Sequence, residues 1–244
     1  MQVTLISYTP DAAELLIFTK NTRLKMHPGG LQEIKQWSAE EKAKALAEIS
    51  NTIKSSWEFV GYTFMIEGVS RAFTHQLVRT RAGTYAQQTM RVLNVSEAGQ
   101  FQYVTGPSIL QDTEASDIYH NAMYDLDDYY KKLIELGVEI EDARGILPTN
   151  IQTNIVATFS LRTLNDLFLK RDNIRVQGEY REFLGHLLTA VSAIHPWAAK
   201  FILPKGNKAY VELNGLLEQL KITNKELAIL IAKQIDIIKA ESNA

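Results

Sequence analysis

The chain has 244 residues, with 28 acidic and 26 basic side chains, a formal net charge of -2 and a hydrophobic content of 45%. This composition supports a full hydrophobic core and excludes a disordered chain, and the charge argues against a protein that binds nucleic acid through a global positive field. The sequence contains no cysteine, which excludes disulfides, thiolate metal sites and a cysteine nucleophile.

The sequence also lacks the signals of membrane insertion and secretion. No segment has about 18 uninterrupted apolar residues, and the first residues lack the basic stretch and small-residue cleavage site of a signal peptide. We therefore expect a soluble, cytoplasmic protein with no membrane contact.

The first half of the chain predicts short strands separated by helices. Pro10 is placed at a helix start, Ser38 and Glu41 form a capping-box pattern, and Gly68 is predicted to end a strand. The predicted elements are a strand over 2–8, a helix over 9–23, a helix over 38–56, a strand over 57–69, a helix over 70–81 and a strand over 100–106.

The second half is richer in helix. The predicted elements are a long helix over 114–136, a short helix over 139–147 that Pro148 stops, a strand over 152–162, helices over 163–171 and 178–194, and a tail helix with Thr223 and Glu226 as a capping box. Strands and helices do not alternate regularly, which favours an α+β fold with a mixed or antiparallel sheet flanked by helices.

No repeat, low-complexity tract or Gly/Ser linker divides the chain. The sequence therefore predicts one domain over residues 1–204 and a helical extension over 205–244. The tail helix is apolar over too wide a face for a lone surface helix, so it is expected to pack on the same domain or on a neighbouring subunit. A membrane-surface role is the less favoured alternative, because its flanks are not strongly basic.

A basic segment interrupts this nearly neutral chain. No acidic residue lies between Gly68 and Ser96, yet this range holds four arginines, Arg71, Arg79, Arg81 and Arg91. On a helix, Gln76, Arg79 and Thr80 share one face, and arginine offers a planar fork to phosphate oxygens. A solvated basic face, a nucleic-acid patch and a pocket for an anionic ligand all fit this pattern. The neutral hydrogen-bonding residues among the arginines favour the pocket.

The same segment resembles a known signature. The stretch "SRAFTHQLVRTRAGTYAQQTMR" is similar to that of the flavin-dependent thymidylate synthases, in which Arg-His-Arg is followed by two serines and an arginine. The arginine spacing is kept, while Thr80 stands at the place of the histidine and Thr84 and Thr89 at those of the serines.

Further segments carry the resemblance along the chain. "ARGILP" over 143–148 matches the family's "ARxxLP", "VQGEYR" over 176–181 resembles Ala-Gln-x-Glu-Ile-Arg, and "WEFVGYTFMIEGVSR" resembles the strand pattern "EHxxxxFxIxGxSR". The order and separations of these motifs agree over about residues 1–204.

The resemblance implies an activity and an assembly. These enzymes convert dUMP to dTMP, with methylenetetrahydrofolate as one-carbon donor and NADPH as reductant through FAD. They are homotetramers whose active sites are shared between subunits. They do not attack uracil C6 with a cysteine, and a chain without cysteine is compatible with that chemistry.

The resemblance also implies which residues bind dUMP. One subunit would supply a helix around Gln76 and Arg79, and another would supply the loop from Thr84 to Arg91. Arg171 matches the catalytic arginine that favours ionisation of uracil N3. The full implied set is Gln76, Leu77, Val78, Arg79, Gln87, Gln88, Thr89, Met90, Arg91, Arg144 and Arg171.

For FAD, the implied residues are Arg79, Thr80, Arg81, Gln87, Ser160, Leu161, Arg162, Asp166 and Arg175. Several depart from the family pattern. Histidine is common at the positions of Thr80, Phe59 and Arg175, asparagine at that of Ser160, and asparagine or histidine at that of Asp166. The nucleotide half of the site is thus better kept than the flavin half.

Two other functions stay open at this stage. One is a divergent flavoenzyme that modifies a pyrimidine nucleotide differently, for example a dUMP hydroxymethylase, and the other is a non-catalytic nucleotide-binding or RNA-binding module.

Individual residues also have plain structural interpretations. Arg162 and Arg171 could pair with Asp166, and Gln177, Glu179 and Arg181 could be polar residues at a helix start. His120, His186 and His195 have no metal-ligand spacing, and no metal site is expected.

Overall fold

A computed structural model describes residues 1–20, 27–171, 178–203, 220, 224 and 227–234. The predicted capping box at Thr223 and Glu226 and the candidate ligand Arg175 lie outside these residues.

Four strands form one antiparallel sheet. They are β1 (Gln2–Tyr8), β2 (Gly61–Ser70), β3 (Thr84–Gln87) and β4 (Gln152–Ser160), in the spatial order β1-β2-β4-β3. The sheet and its many helices confirm the predicted α+β class. β3 was not predicted, because the range from Thr84 onward was interpreted as a loop.

Ten α-helices lie between residues 12 and 202 in the described part of the chain. They are α1 (Ala12–Lys20), α2 (Gly30–Lys35), α3 (Ala39–Ile49), α4 (Arg71–Leu77), α5 (Pro107–Leu110), α6 (Thr113–Glu135), α7 (Ile140–Ala143), α8 (Leu161–Arg171), α9 (Gly178–Ile194) and α10 (Ala199–Ile202). Short 3-10 helices cover Lys54–Phe59, Arg144–Ile146 and Pro196–Ala198. The capping box of Ser38 and Glu41 is present at the start of α3, as predicted.

The main core lies on one face of the sheet. Alternate residues of β2 and β4 are fully buried there, among them Tyr62, Phe64 and Phe159. Apolar residues of α1, α8 and α9 complete this cluster. A second, smaller core gathers Met90, Phe101, Met123 and Ile151 between α6 and the long segment that follows β3.

The path of β2 differs from the prediction at both ends. Trp57 lies in a 3-10 helix, and the strand begins only at Gly61. Gly68 does not end the strand but belongs to a bulge, because Ile66 pairs with Ile155 whereas Val69 pairs with Thr153. The φ of +66° at Gly68 suits glycine, and its N–H donates to Asn154 Oδ1 at 3.0 Å.

Three other predicted elements are corrected. The helix over 38–56 ends at Ile49, and the helix over 70–81 ends at Leu77, four residues early. The strand over 100–106 reduces to one isolated bridge between Tyr103 and Ile151. The segment is held instead by Tyr103, whose hydroxyl hydrogen-bonds His120, and by packing of Phe101 in the second core.

The described residues of the C-terminal extension are few. Asn224 Oδ1 accepts from the Leu227 N–H at 3.1 Å, and residues 227–234 are helical. Ala228 and Ala232 are buried, and Leu220 and Ile231 pack against Ala228. Among the described residues, no helix is long and apolar enough to cross a membrane.

Candidate active site

Helix α4 is fixed in place by a carboxylate from α9. Ser70, at the end of β2, accepts from the Phe73 N–H at 3.0 Å and so caps the helix. Glu179 accepts from the Ser70 N–H at 2.7 Å and from its hydroxyl at 2.6 Å. The pair joins the "GxSR" and "VQGEYR" segments, and it sets the direction in which α4 carries Gln76 and Arg79. The sequence indicates Glu179 only as a polar residue at a helix start, and its bonds to Ser70 were not predicted.

The turn after α4 is closed by a tyrosine. The Tyr85 hydroxyl lies 3.0 Å from the Leu77 carbonyl oxygen and 2.8 Å from that of Thr80, and the Gly83 N–H donates to Thr80 O at 2.9 Å. A Cβ on Gly83 would lie 2.5 Å from the Tyr85 hydroxyl oxygen and 2.7 Å from Phe159. The close approach of Tyr85 therefore requires glycine at position 83. As a result, residues 79–81 are held as a turn rather than as a last turn of helix.

This turn and α8 enclose a cavity of about 320 Å³. Its lining residues come from both elements: Arg79, Thr80, Arg81, Ala82, Thr163, Asp166, Leu167, Lys170 and Arg171. The structure thus brings the Arg-Thr-Arg segment together with Asp166 and Arg171, which lie about ninety residues further along the chain.

The cavity has an unusual charge balance. Within the described part of the chain, Arg79, Arg81 and Arg171 form no ion pair with a carboxylate, and Asp166 is the one acidic residue that lines the cavity. The interpretation of Arg171 as a surface partner of Asp166 is therefore wrong. Its guanidinium instead lies over the ring of Tyr180, with Cζ 5.8 Å from the ring centroid. Unpaired guanidinium groups around one concave space favour an anionic ligand.

The candidate dUMP ligands that precede the turn, residues 76–78, do not point into the cavity as lining residues. The Leu77 side chain is fully buried in the core, so it can contact a ligand only through its backbone. Val78 is 40% exposed at the end of α4, and neither residue lines the cavity. The Gln76 carbonyl accepts from the Arg79 N–H at 3.3 Å, which ties it to the turn.

A second group, here called the outer arginine cluster, consists of Arg91 and Arg144, which contact Glu141, and of Arg71, which contacts the Gln88 carbonyl oxygen. Arg91 Nε and Nη2 each lie 2.8 Å from Glu141 Oε2, and Arg144 Nε donates to the Glu141 carbonyl at 3.0 Å. Arg71 Nη1 lies 3.5 Å from the Gln88 carbonyl oxygen. Burial, and after it the positive charge of Arg144, lower the pKa of Arg71. Arg71 is an addition to the predicted site, and the acid-free stretch that contains it was the available signal.

The segment that joins β3 to this cluster is held by hydrogen bonds within the chain. Gln87 Nε2 donates to Thr74 Oγ1 at 2.9 Å, the Gln88 N–H to Asn154 O at 2.9 Å, and the Arg91 N–H to Thr89 Oγ1 at 3.1 Å. Met90 is buried in the second core. Of the described residues over 84–91, none lines the cavity, and Arg144 does not line it either. The implied dUMP ligands of one chain therefore fall into a group that lines the cavity and a group that lies outside it.

The remaining candidate flavin ligands lie at the start of α8. Ser160 accepts from the Thr163 N–H at 3.1 Å and donates to Glu58 Oε2 at 2.7 Å, so it acts as a helix cap. Arg162 Nη1 lies 3.4 Å from Glu58 Oε1, which means that its ion-pair partner is Glu58 and not Asp166. Leu161 is fully buried, and its N–H donates to the Val60 carbonyl at 2.7 Å. Phe59 is exposed beside Glu58.

The three histidines considered in the sequence analysis each contact a different partner. His120 hydrogen-bonds Tyr103, His195 Nδ1 lies 3.1 Å from the Tyr62 hydroxyl, and His186 pairs with Glu182. Across the described ranges, no group of three or more His, Asp or Glu side chains could hold a metal ion.

Comparison with known proteins places this geometry in context. A family model described as thymidylate synthase complementing protein matches residues 4–197. The flavin-dependent thymidylate synthase of Clostridium tetani is 32% identical over 222 residues, covering 84% of this chain and 87% of the relative. That of Sulfurisphaera tokodaii is 33% identical over 213 residues, covering 84% and 78%.

Solved structures show the same fold. A Helicobacter pylori flavin-dependent thymidylate synthase complexed with FAD and dUMP superposes with a TM-score of 0.64 at 18% identity, covering 84% of this chain and 100% of the other. A UMP/dUMP methylase from Streptomyces cacaoi, bound with 5-Br dUMP, gives a TM-score of 0.67 at 15% identity, covering 82% and 93%.

Proposed function

The chain belongs to the flavin-dependent thymidylate synthase family, and we propose that it converts dUMP to dTMP, with FAD as cofactor, methylenetetrahydrofolate as one-carbon donor and NADPH as reductant. The observation that carries this proposal is a cavity lined by the guanidinium groups of Arg79, Arg81 and Arg171, none of which pairs with a carboxylate among the described residues. A nucleotide monophosphate and the pyrophosphate of FAD are both anions that such groups bind well.

The residues at the cavity fit these ligands chemically. Arg79 and Arg81 flank the hydroxyl-bearing Thr80, so the turn offers two forked cations and a neutral donor to phosphate oxygens. Bound FAD supplies the reducing equivalents for the one-carbon unit. Thr80 offers a shorter polar group than the histidine of the family pattern, so the flavin contact at this position must differ.

Arg171 is proposed to act on the base rather than on a phosphate. A fixed cation near uracil N3 stabilises the negative charge that develops when N3 loses its proton. No acidic partner in the described residues neutralises Arg171, so its charge is available for this purpose. The chain has no cysteine, so activation of the ring has to come from such electrostatic contacts and not from attack by a thiolate.

The size of the cavity supports a site completed by a second subunit. About 320 Å³ lies at the lower end of ligand pockets, and dUMP and FAD together need more room. The outer arginine cluster presents further dUMP-type ligands on another surface of the same chain. We propose that the cavity of one subunit is closed by residues 87–91 and Arg144 of a neighbour in a homotetramer. The flavin would then contact Arg79, Thr80, Arg81, Ser160, Arg162, Asp166 and Arg175.

The test is identification of the product. Purified protein is incubated with dUMP, methylenetetrahydrofolate, FAD and NADPH, and the nucleotide product is identified by mass. We expect dTMP, formed in proportion to NADPH consumed, and flavin absorbance that is lost on reduction. A product heavier by a hydroxymethyl group would show the alternative nucleotide-modifying chemistry. A colourless protein that takes up no FAD, but binds oligonucleotides with steep salt dependence, would show a binding module.

A further inference from the structure

Helix α8 presents one continuous face to the cavity. The residues of α8 that line it are spaced three and four positions apart, as residues on one face of a helix are: Thr163, Asp166, Leu167, Lys170 and Arg171. The opposite side of α8, with Leu164 and Phe168, is buried in the main core. Of the two basic residues on the cavity face, Arg171 belongs to the set implied by the sequence motifs and Lys170 does not.

Lys170 lies near the opening of the cavity. Thr163 and Leu167 are each 2% exposed, so they form the closed end of the cavity on α8, whereas Lys170 is exposed to solvent. An ammonium group on a flexible stem of four carbons can adjust its position to a ligand that enters the cavity. The position of Lys170 therefore suits contact with the outer part of a ligand.

The charges around the cavity favour an anion as the partner of Lys170. Arg79, Arg81 and Arg171 line the same space. Asp166 is the one acidic residue among the described residues of the lining. Cations that share a small space repel one another, and a bound phosphate group relieves this repulsion. Lysine binds phosphate as a point charge, next to the forked contacts that arginine makes.

Two structural roles for Lys170 compete with ligand binding. Lys170 follows Asp166 by four residues, a spacing at which a lysine on a helix offsets an aspartate. It also belongs to the last turn of α8, where a positive charge complements the helix dipole.

Helix α6 has the same arrangement outside the cavity. Lys132 lies in its last turn, and its Nζ is 2.6 Å from Oδ2 of Asp128, four residues earlier. Lys132 does not line the cavity. It therefore shares both structural roles with Lys170 and serves as a matched control.

We propose that Lys170 is a further ligand-binding residue of the cavity, and that its ammonium contacts a phosphate group of the bound ligand near the opening. Two molecules of the proposed reaction carry such a group, dUMP with its monophosphate and FAD with its pyrophosphate. The proposal rests on the proposed function, since it takes these molecules as the occupants of the cavity. It assigns to Lys170 a contribution to affinity and none to the chemistry at the uracil ring.

The test measures binding at equilibrium, with a phosphate-free analogue as the reference for each ligand. The Kd values of FAD and riboflavin are measured by flavin fluorescence on protein from which flavin has been removed. Those of dUMP and deoxyuridine are measured by calorimetry in the presence of saturating FAD. The proteins are the unchanged chain, Lys170→Ala, Lys170→Arg and the control Lys132→Ala.

For Lys170→Ala we expect the Kd of FAD or of dUMP to rise about tenfold, as for the loss of one charge-assisted hydrogen bond. The ligand that responds identifies which phosphate Lys170 contacts. The Kd of its phosphate-free analogue should stay within about twofold, because the lost contact is to the phosphate. Lys170→Arg should restore most of the affinity, since it keeps the charge. Lys132→Ala should bind all four ligands as the unchanged protein does.

A double-mutant cycle separates ligand binding from the neutralisation of Asp166. If Lys170 contacts a phosphate, Lys170→Ala should weaken binding in an Asp166→Asn background about as much as in the unchanged chain. If Lys170 serves only to offset Asp166, the amide removes the charge that needs offsetting, and Lys170→Ala should have no effect there.

Four results would overturn the proposal. They are unchanged Kd values of both FAD and dUMP in Lys170→Ala, an equal loss for a ligand and its phosphate-free analogue, an equal loss in Lys132→Ala, and disappearance of the effect in the Asp166→Asn background. An unchanged protein that binds neither FAD nor dUMP would instead overturn the proposed function, and this inference with it.

Discussion

The arginines of the cavity and Arg91 of the outer arginine cluster differ in whether a carboxylate pairs with them. Arg79, Arg81 and Arg171 line the cavity without a carboxylate partner in the described residues, whereas Arg91 is held at 2.8 Å by Glu141. Arg91 is also 66% exposed at its side chain, so its ion pair contributes little to stability. In the outer cluster, Glu141 neutralises Arg91 alone, because Arg144 and Arg71 contact backbone carbonyl oxygens instead of a carboxylate.

The two regions also differ in the contacts that hold them in place. The cavity lies over the main core, where Tyr85, Glu179 and Tyr180 fix its walls through contacts between distant elements. The outer cluster lies over the second core, which is smaller and built around α6. The walls of the cavity are therefore held in place by contacts within one chain.

The largest effect is expected for Arg171→Ala. Loss of this cation should lower kcat about 10³-fold while FAD absorbance stays largely intact, because the residue is proposed to stabilise charge on the base. Steady-state assays and the visible spectrum of the purified variant measure the two effects. Lys132→Ala, which removes an exposed cation from an ion pair with Asp128, serves as the control and should change neither. Unchanged turnover in Arg171→Ala would show that the role assigned to this arginine is wrong.

The second prediction tests whether the two regions meet across subunits. Arg91→Ala should lower turnover about 100-fold by removing a phosphate ligand. When inactive Arg171→Ala and Arg91→Ala proteins are mixed and allowed to exchange subunits, about a quarter of the sites should combine two intact halves and regain activity.

The control is each variant taken alone through the same exchange protocol. Recovery well above the two single variants supports a shared site. If the mixture stays as inactive as its components although subunit exchange is demonstrated, both halves belong to one chain.

A moderate effect is expected for Glu179→Gln. An amide can donate or accept but cannot replace both strong bonds of the carboxylate to Ser70, so α4 should lose part of its anchor. We expect a loss of about 2 kcal/mol in unfolding free energy and an increase of about tenfold in the KM of dUMP, measured by denaturant unfolding and by kinetics. Glu182→Gln, one turn further along α9 and exposed, is the matched control. Equal behaviour of the two variants would remove the anchoring role.

The smallest effect concerns pH and the second core. Burial by itself would raise the pKa of Asp127, but Lys131, Ser96 and the Phe101 N–H outweigh it and hold the pKa below its ordinary value. The folded state therefore binds this proton less readily than the unfolded state. The stability that Asp127 contributes is present above its unfolded pKa of about 4 and is lost as the pH falls through the lower folded value.

Thermal unfolding between pH 5 and pH 2.5 measures this contribution. Asp127→Asn should lower Tm at pH 5 and show a flatter decline toward low pH, while the exposed Asp128→Asn should follow the unchanged protein. A parallel decline in all three proteins would show that the second core does not depend on Asp127.

The elements that were predicted correctly are specified by patterns in their own local sequence. Helices α6 and α9 and the strand β4 have long, regular apolar periods, and the capping box of α3 is a local pattern. The basic segment was identified because it lacks acids over nearly thirty residues. Periodicity and charge along a window are sufficient for features of this kind.

The features that were missed depend on distant partners. The end of α4 at Leu77 is set by Tyr85 and Gly83, and Ser70 is bound by Glu179 more than one hundred residues away. Likewise, the pairing of Arg162 with Glu58 and of Arg91 with Glu141 cannot be read from spacing along the chain. The sequence identifies the arginines of the site, but only the folded structure shows which of them pair with a carboxylate.

The bulge in β2 bears on how this chain can change in evolution. From Ile66 to Val69 the chain of β2 advances three residues, while the paired residues of β4 advance two. The bulge therefore reverses which face of the sheet each following side chain of β2 points to, just before α4 begins. Deletion of one residue at Glu67 or Gly68 would restore the regular alternation and turn Ser70 away from Glu179, rotating α4 and the whole Arg-Thr-Arg turn with it. A substitution at Glu67 can be absorbed, whereas the φ of +66° at Gly68 disfavours other residues and a change of one residue in length cannot be accommodated. Among natural variants, we expect the spacing between Ile66 and Arg71 to be kept even where the residues themselves differ.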